Sequence, residues 1–188
     1  LLSPHDADVA TVLGAIPYAS VAVVTFAFAS TPLERSLYGT GLLVPRNTPA
    51  PSGRSTTLTT ALTYLSHKWP HLARPGEFLL RASVGRFGDT RFSRLSDESL
   101  IEQVRTEVSG LIGLRSHPQE ATVVRWPSAL PQYRVHHLAR IAQVNAAIDR
   151  LAPLALAGAA YNGVGIPACI GSGRKAARQV LEKINQLH

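Results

Sequence analysis

Leu154-Ala155-Leu156-Ala157-Gly158-Ala159-Ala160-Tyr161-Asn162-Gly163-Val164-Gly165-Ile166-Pro167 is the stretch on which the fold turns. It reads as a strand of small residues over 154–158, a loop over 159–168, and then a last helix. Small residues at 157–160, with Gly163 and Gly165, let a ligand lie directly against the backbone. Pro167 near the first helical turn leaves the following N–H groups free to point outward, where the positive end of the helix dipole stabilises an anion or an electron-rich ring edge. The same residues also read as an ordinary strand-to-helix turn with glycines for tight packing. A Gly-x-Gly alone does not decide between the two, and no complete Gly-x-Gly-x-x-Gly occurs in the chain.

Working outward, the last helix is expected to turn Ala177, Val180, Leu181, Ile184 and Leu187 inward. Upstream, 136–151 reads as an amphipathic helix with Leu138, Ile141, Val144, Ile148 and Leu151 on one face. Residues 121–126 form a short strand. Before it, Ser96-Asp97-Glu98 opens a helix whose apolar stripe is Leu100, Val104, Val108 and Leu111. Strands are expected over 18–28, buried on both faces, and over 56–66 and 77–84, with 39–45 a short strand or strand entry. Residues 47–54 and Arg74-Pro75-Gly76-Glu77 are turns. Ser3-Pro4-His5-Asp6 starts a first helix that ends near Gly14. The order α-β-β-β-α-β-α-β-α predicts an α/β or α+β chain without internal repeats.

Apolar residues are 45% and charged residues 16% of 188, a globular composition. The apolar run 19–29 is too short to span a bilayer as a helix. The N-terminus lacks the basic and apolar pattern of a signal peptide, and one cysteine excludes an intrachain disulfide, so a cytoplasmic setting is expected. No methionine occurs, which fits a chain that begins inside a longer polypeptide. The formal charge is +7, and 16 of 19 basic residues are arginine. Arginine-favouring codons or an anionic partner explain this equally well. The arginines form no basic run, so nucleic acid is not expected.

Other chemistries find little support. The seven histidines show no ligand spacing with carboxylates or Cys169, so no metal is expected. Cys169 lacks a distinctive activating partner and reads as a small residue packed at a helix start. No nucleophile elbow or phosphate-binding loop is present, and no catalytic residue is assigned.

Several stretches taken together resemble the proto- and coproporphyrinogen oxidase family, within the flavin-containing amine oxidase superfamily. They are Ile16-Pro17-Tyr18-Ala19-Ser20, Gly39-Thr40-Gly41-Leu42-Leu43-Val44-Pro45, Ser66-His67-Lys68-Trp69-Pro70 and the run from Leu79-Leu80-Arg81 to Gly88-Asp89. Arg125-Trp126-Pro127 to Pro131-Gln132-Tyr133 and the segment 156–170 follow in family order. The resemblance implies two interleaved domains. Residues 1–118 would be the later part of a substrate-binding domain with a mixed sheet, and 119–188 the return into an FAD-binding domain. It implies FAD as cofactor, with Ala159, Val164, Gly165 and Ile166 as flavin contacts. Trp126 would pack near the cofactor or close the strand end as a core residue. The nucleotide-binding turn belongs to an N-terminal half absent from these residues, so the chain alone is expected to bind FAD weakly and not to turn over. Ala168 departs from the aspartate of many relatives.

The resemblance also implies a six-electron oxidation of a porphyrinogen to the porphyrin, with molecular oxygen as acceptor. The substrate would be coproporphyrinogen III or protoporphyrinogen IX. From strand alternation and charge, Tyr64, Leu79 and Leu80 are candidates for an apolar slot, and Arg81 and Lys68 for carboxylate anchors. Rival readings are another flavin amine-oxidase-type enzyme and a non-enzymatic tetrapyrrole-binding module. Peripheral contact with a membrane stays open, although no strongly basic amphipathic helix argues for it.

Overall fold

The computed structural model describes residues 6–30, 33, 37–53, 55–151 and 153–186. The helix start expected at Ser3 and Pro4, and Leu187, lie outside them. The chain forms two compact units, one of residues 20–127 and one of residues 1–19 with 128–188.

The first unit is built on a sheet of order β2-β3-β4-β1-β5. Its strands are β1 (Tyr18–Phe28), β2 (Gly41–Leu43), β3 (Thr59–Tyr64), β4 (Phe78–Val84) and β5 (Glu120–Pro131). The unit boundaries fall inside β1 and β5. The pairs β1–β4, β3–β4 and β2–β3 run antiparallel. The α+β class holds, but these pairings do not have the mixed character that the resemblance implied. β3 is shorter than expected, because a bulge at Thr59/Ala61 marks its start and a helical turn, α2 (Leu65–Lys68), follows it at once.

Strand alternation puts Ala22, Val24, Phe26 and Phe28 of β1 beside Phe78, Leu80, Ala82 and Val84 of β4 in the core. Helix α3 (Asp97–Ile112) covers this face with Leu100, Val104 and Val108, as its stripe predicts. Each such side chain contributes about 1.5–3 kcal/mol on burial. Ser96 caps α3 by accepting the Ser99 N–H, and Gly113 ends it in the left-handed conformation. The opposite face carries Val23, Thr25, Ala27, Thr63, Leu79, Arg81 and Ser83, all half-buried. β1 is therefore fully buried on one face only. An eleven-residue run without strongly polar residues reads as two-sided, yet the larger side chains sit on the core side.

In the second unit, α1 (Ala7–Gly14) is capped by Asp6, which accepts the Val9 N–H at 2.9 Å. Its Val9 packs with Val144 and Ile148 of α4 (His137–Ile148), and Leu154 and Leu156 pack against them. The buried stripe of α4 is His137, Ile141, Val144 and Ile148, while Leu138 is exposed. At 100° per residue, 137 and not 138 continues the i, i+4, i+7, i+11 row.

Two expectations fail here. Residues 154–158 are not a strand. A strand needs a neighbour for its N–H and C=O groups, and no described residue pairs with this segment in a ladder. Helix α5 (Ile166–Asn185) buries only Ala176, whereas Ala177, Leu181 and Ile184 are exposed. Ile166, Ile170, Ala177, Leu181 and Ile184 recur at spacings of four, seven, four and three, and so form one uncovered apolar row.

Candidate flavin-facing loop

Between residue 158 and the start of α5 the backbone takes positive φ at two glycines, Gly158 (124°) and Gly163 (135°). A Cβ on Gly163 would stand 2.8 Å from the Ala168 Cβ, so glycine is required there on two counts. Gly165 differs. Its backbone is ordinary, and a Cβ would meet nothing nearer than Pro167 Cδ at 3.8 Å, so the space above it is open.

Side chains from three directions hold this loop. The Tyr133 hydroxyl donates to Ala159 O at 2.6 Å and accepts from Gly163 N at 2.7 Å. His137 Nε2 lies 3.2 Å from Tyr161 O, and Gly158 N donates to Ser172 Oγ at 3.0 Å. Cys169, half-buried at the helix start and outside the core clusters, has its Sγ 3.8 Å from Gly163 O. Burial, with a smaller contribution from Tyr18, pushes the Tyr161 phenol above its usual pKa. No side chain caps α5, whose first residues are Ile166 and Pro167. The positive end of this helix is therefore left for another partner.

Ala159, Val164, Gly165 and Ile166 are thus brought together on one loop, with Val164 and Ile166 exposed although apolar. Open backbone at Gly165, an uncapped helix start and two uncovered aliphatic side chains fit one edge of a flat, electron-rich ring. Trp126 belongs to the other unit. It is exposed on β5, while its neighbour Arg125 turns inward to bond Asp97 and the carbonyls of Phe92 and Leu95.

The expected substrate residues divide between the two faces of the sheet. Tyr64 and Leu80 are register partners in the hydrophobic core. Leu79 and Arg81 point to the opposite face, because neighbours on a strand alternate. The four therefore do not line one slot. Arg81 sits between Thr25 and Thr63, and its buried Nε has no hydrogen-bond partner. Lys68 is exposed, with Nζ 4.6 Å from the centre of the Trp69 ring.

The family model for flavin containing amine oxidoreductases matches residues 1–181. The chain belongs to this family. The coproporphyrinogen III oxidase of Staphylococcus aureus is 36% identical over 166 residues, which cover 88% of this chain and 34% of that protein. The enzyme of the same name from Bacillus subtilis is 36% identical over 163 residues, covering 86% of this chain and 33% of that protein. A crystal structure of an Exiguobacterium protein assigned as a protoporphyrinogen oxidase superposes with a TM-score of 0.75 at 33% identity. It covers 90% of this chain and 36% of that one. The chain spans about a third of the length of these family members.

Sequence reading missed Tyr133, His137 and Ser172 as residues that shape the loop. Helix spacing gave no signal for the ring pair, because Tyr133 precedes α4 and the turn at 135–136, with His136 left-handed, brings its ring onto His137. Among the described residues no cluster of potential metal ligands occurs, and no helix is long and apolar enough to cross a membrane.

Proposed function

We propose that this chain is the flavin-loop part of an FAD- and oxygen-dependent porphyrinogen oxidase, with coproporphyrinogen III as the first substrate to test. The observation that carries the reading is the open Gly165 backbone at the uncapped start of α5, flanked by exposed Val164 and Ile166. The names of the bacterial relatives favour coproporphyrinogen III over protoporphyrinogen IX.

Bound FAD would supply hydride acceptance, and three two-electron rounds against molecular oxygen would give the porphyrin and three hydrogen peroxides. The chain's own residues would do the rest. The helix start offers partial positive charge to the flavin ring edge, and Val164 and Ile166 exclude water from it. Arg81, a guanidinium without an acidic partner among the described residues, would hold a substrate carboxylate, and Leu79 beside it would pack on a pyrrole. Residues 1–118 would belong to the substrate-binding domain and 119–188 to the FAD-binding domain. The apolar row of α5 would be covered by the N-terminal part of a longer polypeptide, which carries the nucleotide-binding turn. The whole protein would work in the cytoplasm.

The deciding experiment uses the complete polypeptide. Porphyrin fluorescence is followed in air after adding either porphyrinogen. A rise that requires FAD is expected, faster with coproporphyrinogen III. No enzymatic rise from protein that holds flavin would move the activity to another flavin oxidase.

A further inference from the structure

Tyr133 and His137 are used by no step described so far, yet they make the closest set of polar contacts to the loop. The two rings stack with centroids 3.9 Å apart and planes 12° from parallel. His137 is only 5% exposed. Tyr161 O is a carbonyl and can only accept, so Nε2 of His137 is the protonated nitrogen. The Tyr133 hydroxyl spends its one proton on Ala159 O and accepts from Gly163 N. One phenol thus ties residues four positions apart into a closed loop, and the imidazole beneath it holds the residue midway between them.

We propose that the Tyr133–His137 pair is a brace whose task is to fix the backbone of 163–166 in the position that receives the flavin. The inference rests on the reading of this loop as the flavin-facing one. A phenol 40% exposed would satisfy its hydroxyl with water at little cost, but here both bonds go to the loop backbone. Gly163 lies at the end of the braced segment, and Val164 and Gly165, the residue before α5, follow it directly. Without the brace, the glycine-rich loop has to be ordered when flavin binds, and that ordering is taken from affinity. Tyr133 and His137 are therefore positioning residues.

The test uses Tyr133→Phe in the complete flavin-binding polypeptide, because phenylalanine keeps the stacked ring and removes both loop bonds. FAD titration of the apoprotein is expected to show affinity lowered on the order of tenfold. The visible circular dichroism of bound flavin should weaken. Its midpoint potential should move negative, since the helix start no longer faces the reduced ring as closely. His137→Phe keeps a flat ring under Tyr133 and loses only the Tyr161 bond, so about a threefold loss is expected. Gly165→Val serves as the control for the loop itself. If it weakens FAD while Tyr133→Phe leaves affinity, spectrum and potential at the parent values, the brace is overturned and the flavin loop stands. If Gly165→Val also leaves FAD binding unchanged, the loop reading falls, and the brace falls with it.

Discussion

Glu107, in the third turn of α3, is 1% exposed and grips the start of β3 at Thr59. Oε2 accepts both the backbone N–H and the hydroxyl of Thr59, at 2.9 and 2.7 Å, and Oε1 accepts the Leu58 N–H at 2.9 Å. The bulge at Thr59/Ala61 interrupts the regular ladder, and the carboxylate takes up the N–H groups beside it. With the Gln103 side-chain amide, which donates to Oε1 at 3.4 Å, four donors converge on two oxygens, so a replacement amide would present its NH₂ to at least one of them. Glu107→Gln is expected to destabilise the protein by about 1–3 kcal/mol. Glu107→Ala, which leaves every donor buried and adds a cavity, should cost about 3–5 kcal/mol. Denaturant unfolding measures both, and a Gln variant as stable as the parent would show that the carboxylate is dispensable.

The glycines of the loop should separate cleanly. Gly163→Ala meets positive φ and the Ala168 Cβ together, and should lose about 1–2 kcal/mol of stability. Gly165→Ala meets neither obstacle, and its stability should stay within about 0.5 kcal/mol. Thermal unfolding of the two variants side by side checks this, and equal losses would contradict the loop geometry.

These contrasts show where the sequence was legible. The stripe of α3, its Ser96 cap and the strand runs at 18–28 and 77–84 are local patterns, and each appears close to its expected place. The Leu154–Leu156 segment was misread because a strand is a property of a pair, and a run of small apolar residues does not say whether a neighbour exists. The inward face of α5 was misjudged for a related reason. Periodicity reveals that a helix has an apolar row, but not whether this stretch of chain contains what covers it. For the loop, Gly163 and Gly165 were visible as glycines, but their different duties were not, since φ and the nearest atoms decide them. Tyr133 was read only as the end of a family stretch, because its partners lie 26 and 30 residues away.

Asp89 should contribute a small, pH-dependent share of stability. Its carboxylate bonds the Arg91 guanidinium, and Arg91 also reaches Thr56 O at 3.0 Å. The Arg91 hydrogen bond, partly opposed by burial and helped by the charges of Arg91 and Arg86, holds the Asp89 carboxyl below its usual pKa. A depressed folded value means that the contribution is present above the unfolded pKa, about 3.9, and is lost as pH falls through the folded one. Arg91 is largely solvent-screened, so Asp89→Asn should cost at most about 1 kcal/mol at neutral pH. The gap between parent and variant should close as the pH falls through the folded value of Asp89. A gap that persists there would assign the loss to the hydrogen-bond geometry and not to charge.

Arg81 provides the test of the proposed substrate-binding face. Its neighbours across the sheet are Thr25 and Thr63, and its neighbours along the strand on that face are Leu79 and Ser83, none of them acidic. A guanidinium whose Nε is buried and without a partner among the described residues is costly to keep, unless an anion completes it. Lys68 is a weaker candidate, being exposed and already lying over Trp69. In the complete polypeptide, the proposed function predicts that Arg81→Ala raises KM for the porphyrinogen about tenfold with kcat little changed, because a carboxylate remote from the reacting carbon would contribute uniform binding. Arg81→Lys should recover part of the loss through charge without the guanidinium fork. Lys68→Ala should change KM by less than about threefold. The effect at 81 should also be larger for a tetracarboxylate than for a dicarboxylate porphyrinogen, since more of its groups can reach the cation. Steady-state kinetics with both substrates decide the matter. An unchanged KM for Arg81→Ala removes this face from the binding surface, whereas a fall in kcat at constant KM would place the arginine near the reacting carbon.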